Sequence, residues 1–327
     1  MFSVPAVAGD LVFIGSCAGK FYALNKRTGA LRWSYDIRDD GNQVSFHGNA
    51  LFVGDMVLIG TDKSCAPDGI GHVYAFARNT GEVRWKYRTT SASTDIIKIG
   101  SRVFFGSIQD TWTALNLSDG SVAWSFSTGA PNPECNLPKS AVADGGHVYV
   151  TALDGNLYSF ESATGRIAWK QKLSAPPSTS IVLKEHFLII GTSDNHIYRL
   201  NTETGTTANE IAVEAKPVGR PMFADNAVVF FLEDRASKTG AIISLSDDLQ
   251  TVRWIQKLSP ESASERPYVS KGFVIAGNCR GELSAFRISD GAPQWKTSLP
   301  GCIRSLGDTD EMLFVGAQEG TVYALHY

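Results

Sequence analysis

Eight residues at comparable places along the chain could do chemistry together: His47, Asn49, Asp95, Lys139, Arg220, Glu265, Arg266 and Arg304. Lys139, Arg220, Arg266 and Arg304 are cations. Gathered around one concave mouth, they would hold a carboxylate or phosphate through charge-assisted hydrogen bonds. Asp95 and His47 are the residues from which acid–base work could be drawn. The plainer alternative is a solvated channel whose charges pair with one another, as Glu265 could with Arg266. No His/Cys cluster at zinc spacing, EF-hand loop, Walker motif or G-x-S-x-G elbow accompanies them. The six histidines (His47, His72, His147, His186, His196, His326) are scattered and read as structural, His47 least so. No catalytic or metal-ligating residue is assigned.

Whether the eight meet depends on the elements that carry them, and these repeat. One pattern runs Asp10-LVFIG-Ser16, Asp55-MVLIG-Thr61, Ser101-RVFFG-Ser107 and Gly146-HVYVT-Ala152. It continues as His186-FLIIG-Thr192, Asn226-AVVFF-Leu232, Gly272-FVIAG-Asn278 and Glu311-MLFVG-Ala317. A second pattern follows each copy, from GKFYALN ending at Asn25 to GTVYALH ending at His326. A weaker strand precedes the first pattern, and another begins at Trp33, Trp85, Trp124, Trp169 and Trp295. Four short strands in about 40 to 45 residues make one β-propeller blade. Such a unit cannot bury its faces alone, so neighbours stack around an axis. The expected fold is all-β: residues 1–327 as one eight-bladed propeller of four-stranded antiparallel blades. The eighth copy stops after its third strand, so that blade is expected to be incomplete or completed by a segment upstream.

Strands alternate in direction, so the turns segregate to two faces. First-to-second and third-to-fourth turns are short or of fixed length. The other two loop classes vary, and all five cysteines (Cys17, Cys65, Cys135, Cys279, Cys302) fall in or beside them. The inner strands begin on that variable face and line the axial channel. At one register they place Val4, Asn49, Asp95, Ser140, Ser180, Arg220, Arg266 and Ser305 around it, beside Thr94, Lys139, Glu265 and Arg304.

The spacing Ala-x5-Gly-x3-Trp occurs as Ala23-Gly29-Trp33, Ala75-Gly81-Trp85, Ala114-Gly120-Trp124 and Ala285-Gly291-Trp295, with Ser159 for Ala before Gly165 and Trp169. It resembles the tryptophan-docking repeat of the quinoprotein dehydrogenases and their non-catalytic relatives. Those relatives include the outer-membrane assembly lipoprotein of the BamB type and propellers attached to adenylating enzymes and kinases. The resemblance covers nearly the whole chain and implies a fold more than an activity. The tryptophans are expected to pack between blades. Copy five has Arg199 for Ala and Asn209 for Trp, and copy six has Gln250 for Gly, so these two blades should pack differently. The resembling inner strands often read Ser-Ser-Pro, from which Asp95, Lys139, Arg220, Arg266 and Arg304 depart. The catalytic quinoproteins also carry a disulfide between adjacent cysteines, and no two cysteines are adjacent here. Expected cofactors are therefore none. PQQ and calcium enter only if the chain is a diverged oxidoreductase.

Composition narrows the remaining classes. The chain has 327 residues, 43% hydrophobic and 19% charged, with 30 basic and 33 acidic residues. That supports a sizeable core and lacks the basic footprint of a duplex-binding protein. No apolar run reaches membrane-span length. The N-terminus has no basic residue before Lys20, and Asp10 splits its apolar stretch, which does not suit a secretory leader. As written the sequence implies a cytoplasmic protein, or a periplasmic or secreted one if a leader has been removed. The expected function is a non-catalytic scaffold that presents its variable face and channel mouth to a protein or peptide. An anionic small molecule is a second partner, and no nucleic acid is expected. The alternative is an enzyme with its site at the channel mouth.

Overall fold

The computed structural model describes residues 4–16, 18–41, 43, 45–46, 48–62, 69–92, 94–130, 140–224, 226–234, 239–258, 268–309, 311–318 and 320–326. Among them, strands form seven four-stranded sheets and one three-stranded sheet, each strand pairing antiparallel with its neighbours in sequence. These are the eight blades, over residues 6–36, 51–90, 97–127, 141–172, 182–212, 216–258, 268–298 and 303–326. Blade 8 has three strands, as the sequence implies. Blade 8 meets blade 1 directly: Arg27 pairs with Glu311 at 3.2 Å. A Cβ on Gly307 would collide with the Pro5 carbonyl, so the two inner strands approach closely there.

Second strands are buried nearly throughout, as in Val103–Gly106 or Leu188–Gly191, because each is sandwiched between two adjoining blades. Continuous β-branched and aromatic runs suit a strand with both faces covered. Outer strands alternate instead, since one face meets solvent.

The Ala and Trp positions are cross-strand partners, Ala23 with Trp33 and Ala75 with Trp85, so the small residue makes room for the ring. The ring then lies on the next blade. The indole N–H of Trp33 donates to the Arg78 carbonyl (2.9 Å), that of Trp85 to Leu117 (2.9 Å), Trp124 to Ser162 (3.0 Å) and Trp169 to Thr202 (2.8 Å). Each accepting residue also ties its blade's two short turns together through its own N–H, as Leu117 does to the Ser101 carbonyl. The glycine of that turn is the seat of the ring. At Gly120 φ is +73°, and a Cβ would lie 2.6 Å from Trp85. Both facts require glycine.

One detail differs from expectation and one agrees with it. Trp254, outside the five tryptophans singled out, docks on blade 7 through the Ile288 carbonyl (2.8 Å) and Gly291, so blade 6 packs forward like the others. The TVRW segment around it matches the VRW of Trp85 and is the overlooked signal. At the seam between blades 5 and 6 the packing does differ. Asn209 pairs with Arg199 across the strands, and its amide donates to the Asp248 carbonyl at 2.5 Å, replacing the indole with a shorter polar link. Arg199 lies over the Phe187 ring. The left-handed residue of the receiving turn is Leu249 (φ +60°, 3% exposed) rather than Gln250, and its side chain fills part of the space that a ring takes elsewhere.

Asp110 lies fully buried between blades 3 and 4. Its carboxylate accepts from the Leu153 N–H (3.1 Å) and the Thr128 hydroxyl. Burial raises its pKa, and those two donors only partly offset the rise. A raised carboxyl favours the fold most when protonated. Its contribution is therefore full below the ordinary carboxylate range and is lost as pH climbs through the higher folded value. Asp110→Asn keeps an acceptor for both donors and removes the charge. The variant should melt above the parent at pH 7, with the gap closing toward pH 3.5; a gap independent of pH would contradict this.

Candidate functional site

The channel mouth is built by the starts of the inner strands. Asp95, just before the inner strand of blade 3, accepts from the Asn49 backbone N–H (2.8 Å) and side-chain amide (3.1 Å) of the neighbouring blade. Arg220, three blades away, reaches the same carboxylate with its Nη1 at 3.1 Å. An ion pair therefore spans the channel. The reach comes from a bulge: Val218 pairs with Phe231 and Met222 with Val229, so Gly219-Arg220-Pro221 faces a single residue, Phe230. Gly219 takes φ +74° to make the loop, and its carbonyl accepts from the Ser180 N–H of blade 5. Bulges re-aim side chains in this way. Asp95 and Arg220 keep 24% and 49% of their side-chain surface exposed, so the pair contributes about 1 kcal/mol at most.

Arg304 stands at a second bulge. Ile303 pairs with Ala317 and Ser305 with Gly316, leaving Arg304 between them without a partner residue. Its Nε (3.2 Å) and Nη2 (2.9 Å) both donate to the Gln318 side-chain oxygen. Cys302, two residues earlier, is disulfide-bonded to Cys279 of the blade 7 loop, and the Ile303 N–H donates to the Asn278 carbonyl (3.0 Å).

Behind the mouth the axial channel holds a cavity of about 530 Å³ to which all eight blades contribute. Of the residues expected there, Val4, Asn49, Arg220, Arg304 and Ser305 line it. Asp95 sits at its mouth in the ion pair. Ser140 is drawn away, its hydroxyl accepting from the Ile181 N–H to join blades 4 and 5. His47, Lys139, Glu265 and Arg266 lie outside the described residues, as do Cys17, Cys65 and Cys135. Lys98, Met222, Phe223 and Tyr268 also line the cavity and were missed: one residue per strand leaves out those deeper in the channel, such as Lys98 and Tyr268, and cannot follow the bulge before Met222 and Phe223. A glycine and a proline flanking Arg220 inside a strand were the available sign.

A second polar cluster closes the seam between blades 1 and 2. Asp40 accepts from Lys86 (2.5 Å), Tyr35 (2.7 Å) and Tyr74 (2.9 Å). Burial alone would raise its carboxyl, but these donors outweigh burial and hold it below the usual range. Burial lowers the pKa of the adjoining His72. Rings and amide side chains fill this seam, so it serves packing. Among the described residues no three His, Cys, Asp or Glu side chains gather where they could hold a metal ion. No helix among them is long and apolar enough to cross a membrane.

Blade count, tryptophan docking and channel define an eight-bladed propeller of the PQQ-like repeat class. The family model described as outer membrane protein assembly factor BamB matches residues 2–208, 113–234 and 238–326, and the chain belongs to that family. BamB of Yersinia pestis is 22% identical over 98% of this chain and 83% of that protein. The match to BamB of Shewanella oneidensis, at 20% identity, covers 74% of this chain and 61% of that protein. Quinohemoprotein alcohol dehydrogenase ADH IIB of Pseudomonas putida is 23% identical over 82% of this chain but only 36% of the enzyme. The crystal structure of BamB from Moraxella catarrhalis superposes with a TM-score of 0.81 at 16% identity, covering 99% of this chain and 96% of that one, a likeness of fold.

Proposed function

We propose that this propeller is a non-catalytic scaffold for protein partners that acts outside the cytoplasm, in the assembly of outer-membrane proteins. The observation that carries the reading is the match to the BamB family from one end of the ring to the other. The Cys279–Cys302 disulfide supports the compartment, since such bonds persist in oxidising surroundings. We also propose that the chain works without quinone or calcium. Two features support this: Asp95 at the mouth is already engaged by Arg220 and Asn49, and the disulfide joins cysteines 23 residues apart.

The partner surface is the variable face, where rigid blades hold loops of differing length. Photo-crosslinking in the cells that make the protein tests this. A crosslinking residue at Ser174 or Ser193, on that face, should capture one protein of the membrane fraction. Placed at Asp55 or Ser101, on the opposite face, it should capture none. Equal capture from both faces, or from neither, would overturn the reading. So would alcohol-dependent dye reduction after quinone is added.

A further inference from the structure

The axial cavity carries an inference independent of protein docking. Both of its arginines stand on strand bulges, at Gly219-Arg220-Pro221 and at Arg304, so each is turned out of the regular ladder toward the axis. Arg220 already holds a carboxylate, that of Asp95, which shows that the mouth can seat such a group. Arg304 is oriented by a neutral amide, Gln318, and makes no ion pair among the described residues. Lys98 adds a third positive charge deeper in the channel, at the level of Phe223. Below the two arginines the rest of the named wall is apolar, with Val182, Met222, Phe223 and Leu306. The volume of about 530 Å³ falls within the range of small-molecule sites.

We propose that the channel binds a small amphipathic carboxylic acid, its carboxylate on Arg304 and its apolar body along the wall. Arg220 would join when the incoming carboxylate displaces Asp95. The two arginines at the mouth and the largely apolar wall below them favour a monocarboxylate with an apolar tail over acetate, which lacks the tail, and over a neutral alcohol, which lacks the charge.

Titration calorimetry of the whole chain with octanoate, octanol and acetate tests the assignment. Octanoate should bind once per chain, and at least about tenfold more tightly than either other probe. Arg304→Gln should weaken octanoate by about tenfold, whereas Asp95→Asn should tighten it, because Arg220 is then released to the ligand. General damage to the fold cannot produce effects of opposite sign. Octanol binding as tightly as octanoate, an unchanged affinity in Arg304→Gln, or weaker binding in Asp95→Asn would each overturn the proposal.

Discussion

Replacing Trp85 with alanine is expected to cost about 3–5 kcal/mol of folding stability, the loss typical of a large aromatic removed from a packed interior. Three effects add. The indole is 8% exposed and wedged between blades 2 and 3, so its removal opens a cavity along the seam. The Leu117 carbonyl loses the N–H that satisfies it. The Gly120 turn loses the ring for which it left space. The converse change acts on the same contact. Gly120→Ala places a methyl 2.6 Å from Trp85 and forces a side chain to φ +73°, for an expected loss of about 1–3 kcal/mol. Combined, the two should cost less than their sum, because the methyl then enters the vacated space. Chemical denaturation of the parent, both single variants and the double variant measures this. Strict additivity would mean that the ring and the glycine do not share the contact.

The second large effect is at the junction of blades 7 and 8. Cys279→Ser is expected to lower stability by about 3 kcal/mol, the loop-closure value for cysteines 23 residues apart. Blade 8 has three strands, and Tyr268–Asp308 (2.7 Å) and Arg27–Glu311 are among the contacts that join it to its neighbours. The loss should therefore be local as well as global. Amide exchange should quicken at Leu313–Ala317 in the variant before it does in blades 3 and 4. A reducing agent should reproduce the effect in the parent and add nothing in the variant. Equal denaturation midpoints for parent and variant would show that the bond adds no stability.

The ring was legible because its determinants are local and repeated: eight buried second strands, short turns and a glycine four residues before a tryptophan. Trp254 escaped because Leu249-Gln250 interrupts that spacing, although the left-handed backbone persists at Leu249. At the mouth, register alone places Asn49, Asp95 and Arg220, with Arg304 beside the register residue Ser305. Their pairing was not readable. Which carboxylate Arg220 meets depends on a bulge that carries it toward a blade 125 residues earlier in the chain. Local sequence fixes that a side chain faces the axis; the curvature of the whole ring fixes what it meets there.

The tryptophan contacts all point one way around the ring, and this bears on synthesis. The indoles of Trp33, Trp85, Trp124, Trp169 and Trp254 are each received by a turn 32 to 45 residues further along the chain. A polypeptide emerging N-terminus first therefore leaves each new indole bare until the following blade has been made, a wait of seconds at ordinary elongation rates. Blade 5 breaks the series, since Asn209 replaces the ring and the indole before it, Trp169, is already received at Thr202. A nascent chain that pauses between Asn209 and Trp254 thus holds five blades and no uncovered docking indole, which makes this stretch the safest resting point in building the ring.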